Sequence, residues 1–304
     1  MYAYHPPLTV GVAASLIRAV RGTPLVYDIQ DMWPDTLRAS GMLNNQCALA
    51  MVERVCDWVY RHVDQVVVLS PGFRRLLVRR GVPENKIEVI YNWADESALM
   101  SPMGAVPEAF PARGRFSVVF AGNMGKAQAL DAVLDAAKIL QGRGSRVCFV
   151  MLGGGVEVGR LKERTFALDL QNVVFLPAVP MSEVGTILNA ADALLVHLKK
   201  DPLFEITIPS KTQAYMAAGK PLLMAVNGDA ADIVLQSSGG VIAESENAEA
   251  LAACAESLST LAPEQLHAMG QKAQGYYREH LALPVGVAKF GVIFSLLASN
   301  TVSK

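Results

Sequence analysis

The sequence has no Asp-x-Asp pair, no Cys-x-x-Cys spacing and no P-loop. A carboxylate cage for Mg²⁺ or Mn²⁺ wants clustered acids, and Asp28, Asp31 and Asp35 come nearest, spread along a loop. The four cysteines, Cys47, Cys56, Cys148 and Cys254, are widely scattered. Reduced thiols in a cytosolic protein are their simplest account. G-x-x-x-x-G-K-[ST] and G-x-S-x-G are both missing, which excludes P-loop NTPases and α/β-hydrolases on motif grounds. An excess of one charge is missing too. Lys and Arg total 27 against 28 Asp and Glu, a balance that gives no support for nucleic acid as the main partner. There is no unbroken run of 18 apolar residues, so no transmembrane helix is expected. Met1–Pro7 lacks the basic segment of a signal peptide.

What is present is apolar material in alternating segments. Hydrophobic residues make up 52% of the 304, with a mean hydropathy of +0.28, enough for a sizeable core. Met1–His5, Pro24–Ile29, Asp64–Leu69 and Lys86–Tyr91 read as strands, with helices at Leu8–Val20, Leu43–Val63 and from Ser70-Pro71 to about Arg80. Pro102, Gly104, Pro107, Pro111 and Gly114 mark a linker. The pattern then restarts. Arg115–Ala121, Arg146–Leu152, Asn172–Leu176, Ala193–Leu198, Pro221–Val226 and Gly240–Ala243 read as strands, with helices including Ala127–Gln141, Ser182–Ala190, Ala230–Gln236 and Ala248–Leu258. Pro263–His280 and Pro284–Ala298 form a helical tail. Alternation of this kind predicts parallel, doubly wound sheets. The expected division is 1–100, a linker 101–114, a second domain 115–280, and a last helix 281–304 that packs back on the first domain.

Three stretches bear on chemistry. Phe204–Pro221 predicts a loop, a short helix and a hard stop: Ser210 as N-cap, Gln213 completing an S-x-x-Q capping box, Gly219 at the left-handed exit and Pro221 beyond it. The positive end of such a helix suits a phosphate, and an ordinary capped helix explains the same residues. Gly122-Asn123-Met124-Gly125-Lys126 follows a strand and precedes a helix. It reads either as a phosphate turn, with Lys126 adding charge, or as a tight βα turn. Gly153-Gly154-Gly155 misses the dinucleotide fingerprint, since Gly159 stands one position too late, and this argues against NAD.

Other residues are more ambiguous. Asp31 leaves the C-terminal end of a strand, where open α/β sheets bind ligands. Turn formation explains it as simply. Trp33 beside it suits either sugar stacking or loop packing. A lone His such as His5 is more often structural than catalytic. Arg74, Arg75, Arg79 and Arg80 crowd one helix with no acid among them, a solvated face or a patch for anionic lipid.

Taken together, His5-Pro6-Pro7, DMWPD at Asp31–Asp35, Ser70-Pro71-Gly72-Phe73, Tyr91-Asn92-Trp93, Ala121–Gln128 and the IPSKTQAYMAAGKP block with Asn227-Gly228-Asp229 resemble the glycosyltransferase family 4 proteins. These are retaining enzymes of GT-B fold, and the likeness is to the bacterial O-antigen and colanic-acid branch, L-fucosamine-transferase-like. The resemblance covers nearly the whole chain. It implies an α/β protein of two Rossmann-like domains, the first one incomplete by on the order of 100 residues. It implies a UDP-linked sugar donor held by Gly122, Asn123, Lys126, Val179, Pro209, Ser210, Lys211 and Gln213, with the base near Leu176–Pro180. His5, Asp31 and Glu205 are the catalytic candidates. No cofactor and no metal are expected. The implied acceptor is a polyprenyl-diphosphate-linked sugar or a saccharide, and the implied location is cytoplasmic, peripheral at the inner face of the plasma membrane.

The sequence departs from the family pattern at three points. The paired glutamates fall on Ile206 and Ala214, with Glu205 and Gln213 keeping the spacing one residue earlier. Asn123 stands where an Arg is common. The first strands and the Gly-rich acceptor loop are missing. A silent remnant, the donor-binding subunit of a split enzyme, and a GT-B nucleotide-sugar epimerase remain open beside the transferase.

Overall fold

The computed structural model describes residues 1–5, 8–100, 104–112 and 114–302; Pro6 and Pro7, and part of the expected linker, lie outside them. In chain order the elements begin with β1 (Tyr2–His5), α1 (Leu8–Arg21), β2 (Val26–Ile29), α2 (Asp35–Ala39), α3 (Gln46–His62), β3 (Gln65–Val68), α4 (Pro71–Arg79), β4 (Ile87–Val89) and α5 (Glu96–Met100). They continue with β5 (Phe116–Ala121), α6 (Asp131–Gly142), β6 (Val147–Leu152), α7 (Val158–Ala167), β7 (Val173–Leu176), α8 (Met181–Ala190) and β8 (Ala193–His197). The last are α9 (Pro202–Glu205), α10 (Ser210–Ala217), β9 (Leu222–Ala225), α11 (Asp229–Ser237), β10 (Gly240–Ile242), α12 (Ala248–Thr260), α13 (Pro263–His280) and α14 (Leu283–Val302).

These elements form two compact units. One comprises Met1–Asn92, Asp201–Ile208 and Leu283–Lys304; the other comprises Trp93–Lys200 and Pro209–Ala282. The first unit is built on a parallel sheet of order β1-β2-β3-β4. Its order runs one way without reversal. β2 is buried along its whole length, as a strand covered on both faces must be. Leu25, Tyr27, Ile29, Val66, Val68, Phe73 and Leu77 pack on one side with Val59 and Tyr60 of α3. On the other side Val26, Val67 and Ile90 pack against Ile293 of α14.

Helix α14 bears on the membrane expectation. An 18-residue window within Pro263–Ser299 has a mean hydropathy of 2.0, long and apolar enough to cross a membrane by length and composition. A search for unbroken apolar runs misses it because Gly286, Lys289, Gly291 and Ser295 interrupt the run. In the structure its inner residues pack on the sheet and Lys289 donates to the Val89 carbonyl at 3.1 Å. Val287, Val292 and Leu296 remain exposed.

The arginines of α4 are also not a bare basic face. Arg74 pairs with Glu84 at 3.0 Å, and Arg80 pairs with Asp35 and donates to the Trp33 carbonyl. At the start of α4 the expected cap is present. Fully buried Ser70 accepts from the Phe73 N–H at 3.0 Å and donates to the Ile206 carbonyl. Ser70→Ala removes both bonds and leaves the part-buried Ile206 carbonyl without this donor. We expect it to destabilise the first unit by about 1–3 kcal/mol, read as a lower urea midpoint with unchanged affinity for any ligand of the second unit.

The second unit carries a six-stranded parallel sheet of order β10-β9-β8-β5-β6-β7. Strand order reverses between β5 and β8, the switch point where open α/β sheets leave a crevice. Phe120, Phe149, Met151, Leu195 and Leu223 form the core with α6 and α12. One helical expectation needs correction here. Ala127–Gln141 is not one helix: a turn at Lys126–Gln128 precedes α6, and Ala129 between them sits at φ 46°. Helix α7 is one the sequence reading did not set out; Leu161 is buried and Val158 packs on the core, while Phe166 is exposed.

Candidate functional site

At the switch point the second unit holds a cavity of about 660 Å³. Its walls come from the ends of β5, β6 and β8, the segment after β7, and the first turn of α10. Gly122, Asn123, Gly153, Gly154, Val179, His197, Pro209, Ser210 and Lys211 are among the lining residues. The family resemblance grouped six of these, namely Gly122, Asn123, Val179, Pro209, Ser210 and Lys211, as donor-site residues, and all six line the cavity.

Two glycine turns make the cradle. The Gly122 N–H donates to the Leu152 carbonyl at 2.8 Å, and the Met124 N–H to the Gly154 carbonyl at 2.7 Å. Gly122, Gly153 and Gly155 all have positive φ, at 123°, 132° and 141°, a region side-chain-bearing residues avoid. The Gly153–Gly155 run is therefore a backbone clasp on the Gly122 turn. It lines the same cavity although it lacks a dinucleotide fingerprint.

Helix α10 closes the other wall. Its exit is as expected, with Gly219 at φ 69°. Its entrance is not. Pro209 is the N-cap and no side chain caps the helix, so Ser210 is the first helical residue. The Gln213 amide, in the orientation its surroundings require, donates to the carbonyls of Pro209 at 2.8 Å and Ser210 at 3.3 Å. The capping box is thus absent, because Gln213 turns to backbone acceptors rather than to an N–H. The first-turn N–H groups face no capping side chain, which favours an anion. Buried Tyr215 ties α10 to β5: its hydroxyl accepts from the Ala121 N–H at 2.8 Å and donates to the Ala121 carbonyl at 3.3 Å.

Lys211 is the charge of the site. Its Nζ is buried with no hydrogen-bond partner among the described residues and stands 3.3 Å from the centroid of the Phe120 ring. A Cβ on Gly122 would come within 3.1 Å of its Cε, so glycine there admits the lysine stem. Burial pushes the amine down to about 7 from its ordinary 10.5.

Several candidates lie elsewhere. Lys126 is exposed on the short turn beyond Gly125 and is not a lining residue, because the turn carries it past the cradle. Gln213 is buried but spent on backbone. His5, Asp31 and Glu205 all belong to the first unit and none lines this cavity. His5 is buried edge-on to Tyr27 and Trp33, and burial lowers its pKa to about 4. Asp31 follows β2, its carboxyl raised by burial. Glu205 ends α9 and is exposed. The sequence reading missed His197, Gln128 and the Gly153-Gly154 pair as lining residues. Strand order was the signal needed for His197, since it ends the strand that borders β5.

A pair of parallel α/β units, the second with a phosphate-suited cradle at its switch point, is the GT-B arrangement of glycosyltransferases. Residues 1–93 match the glycosyl transferase 4-like domain and residues 107–276 match the glycosyl transferases group 1 model. The second match alone covers more than half of the chain, and the protein belongs to that family. It is 26% identical over 215 residues to a Pseudomonas aeruginosa protein named as the glycosyltransferase WbjE, covering 68% of this chain and 52% of that one. It is 22% identical over 222 residues to Escherichia coli K12 WcaI, named as a colanic acid biosynthesis glycosyl transferase, covering 70% and 54%. The chain spans about half the length of these relatives. The fold is similar to that of Anabaena HepE, solved with UDP, at a TM-score of 0.79 and 16% identity, over 97% of this chain and 78% of that one.

Proposed function

We propose that the second unit binds a UDP-linked sugar, and that the whole protein transfers this sugar, with retention of configuration, to a lipid-linked or saccharide acceptor in bacterial surface-polysaccharide synthesis. The observation that carries the reading is Lys211: a buried amine with no hydrogen-bond partner among the described residues, in a cavity that also holds two glycine turns and an uncapped helix start. A diphosphate completes all three. Electrostatic stabilisation of the departing diphosphate is then supplied by Lys211 and backbone N–H groups, in a site that needs no metal. The base is assigned to the Val179 side and the diphosphate to Gly122, Asn123, Ser210 and Lys211.

The names of WcaI and WbjE and the UDP in HepE support the donor class and the pathway. A polyprenyl-diphosphate-linked acceptor, and with it a location at the inner face of the plasma membrane, is part of the same reading. The exposed apolar residues of α14 agree with it. His5 and Asp31 are proposed to serve the acceptor side. Because the chain spans about half of its relatives' length, donor binding is assigned to this chain and turnover to the whole protein.

Calorimetry with UDP and UDP-glucose tests the assignment. Micromolar-range binding that EDTA leaves unchanged is the expected result. Absence of heat with UDP and with every nucleotide sugar, in a folded sample, would remove the assignment.

A further inference from the structure

His197 ends β8 at the switch point, beside the strand that leads into the Gly122 turn. The residue is buried, at 1% exposure, yet it lines the cavity. Its Nδ1 lies 2.7 Å from the Gln128 carbonyl. A carbonyl only accepts, so the proton is on Nδ1, and Nε2 carries the lone pair. That Nε2 has no partner among the described residues. Burial lowers the ring's pKa, outweighing the nearby Glu246 carboxylate, which keeps the ring neutral and Nε2 an acceptor.

An orphaned buried acceptor is uncommon and calls for a role. Asp95, Asn123 and Ser210 also bring acceptor oxygens to the cavity lining, whereas other lining side chains bring little. Ala214 has no polar side chain, Lys211 only donates, the Tyr215 hydroxyl is engaged with Ala121, and the Gln128 carbonyl oxygen of the side chain accepts from Gly125 N–H at 2.9 Å. A nucleotide sugar is rich in hydroxyl donors, each of which loses affinity when buried unpaired.

We propose that His197 Nε2 accepts a hydrogen bond from a hydroxyl of the bound nucleotide sugar, and so sets specificity for a hydroxylated ligand in the cavity. The inference rests on the UDP-sugar reading above. The hydroxyl comes from either the ribose or the transferred sugar, and the test separates the two.

Two substitutions divide the ring's functions. His197→Asn keeps a donor near the Nδ1 position for Gln128 and lacks the Nε2 acceptor. His197→Gln places an amide oxygen near the Nε2 position. Binding of UDP, 2′-deoxy-UDP, 3′-deoxy-UDP and UDP-glucose is measured by calorimetry. We expect His197→Asn to weaken UDP-glucose by about tenfold or more, and His197→Gln to recover part of the loss. If the ribose is the source, UDP is weakened equally and the penalty disappears with one of the deoxy analogues. If the sugar is the source, only UDP-glucose is affected. Equal affinity of wild type and His197→Asn for all four ligands overturns the proposal.

A second readout does not depend on a variant folding. The ¹⁵N resonance of His197 Nε2 in the wild-type protein should move toward the hydrogen-bonded range on adding UDP-glucose. An unmoved resonance at saturating ligand also overturns the proposal. Failure of the wild-type protein to bind any of the four ligands is a different result, which overturns the UDP-sugar reading itself.

Discussion

Gly153→Ala should unfold or severely loosen the second unit, while Gly154→Ala next to it should leave the fold intact. The contrast comes from geometry alone. Gly153 has φ 132°, and a Cβ on it would fall on the carbonyl oxygen of Gly122. Gly155 has φ 141°, and its Cβ would fall on the Met124 carbonyl. Neither neighbour is a side chain that can swing away; both are the backbone of the cradle. Gly154 has no heavy atom within 4 Å of an added Cβ. A non-glycine residue in such a conformation costs about 1–3 kcal/mol, and the overlap adds a similar amount. Gly153→Ala and Gly155→Ala are therefore expected to cost about 3 kcal/mol or more, and Gly154→Ala less than about 1. Urea denaturation of the three variants reads the difference directly. Three equal midpoints would mean that the clasp is not what holds the turn.

The same loop shows what a sequence reading can and cannot reach. Gly153-Gly154-Gly155 was visible as three glycines after a strand, and its spacing lacks the dinucleotide fingerprint. Its actual job, pairing with Gly122 and Met124, depends on β5 and β6 being neighbours, which no local pattern contains. The alternation of strands and helices was legible because each buried strand is a short run of Val, Ile, Leu and Phe between glycine-rich breaks. Gly219 was legible because a helix exit makes a strict demand on φ. Ser210 was misread by one position: Pro209 has an extended conformation and takes the N-cap place without any side-chain bond. Lys211 stood out next to that helix start, but its placement over Phe120 is a tertiary fact. His197 was hidden among the apolar residues of β8, where a buried histidine reads as core. His5 and Asp31 were found at strand ends of the first unit, within the 1–100 division expected for them.

Lys211→Met should weaken UDP by about 10- to 100-fold, the range for a charge-assisted hydrogen bond, and leave uridine nearly unaffected. Methionine keeps the stem that fills the space beside Gly122 and removes only the charge. The pH dependence sharpens the test. In the free protein the amine has a pKa of about 7, because burial in the cavity disfavours the ammonium. A bound diphosphate attracts the protonated form and raises that value. Above pH 7 the free amine is mostly neutral, so binding must take up a proton. Affinity should then fall as pH rises from about 7 until the pKa of the complex is passed. At pH 8, calorimetry in buffers of different ionisation enthalpy should show an uptake of about one proton per UDP, lost in Lys211→Met. Stability of the free protein runs the other way. The folded state binds fewer protons than the unfolded chain between about 7 and the ordinary lysine value of 10.5. Stability therefore rises with pH across that window as the buried charge is relieved, and Lys211→Met should flatten the rise. Opposite pH trends for folding and for binding, both abolished by one substitution, are what a lysine kept uncharged until a diphosphate arrives must produce. Equal losses for UDP and uridine, with no proton uptake, would assign Lys211 to packing alone.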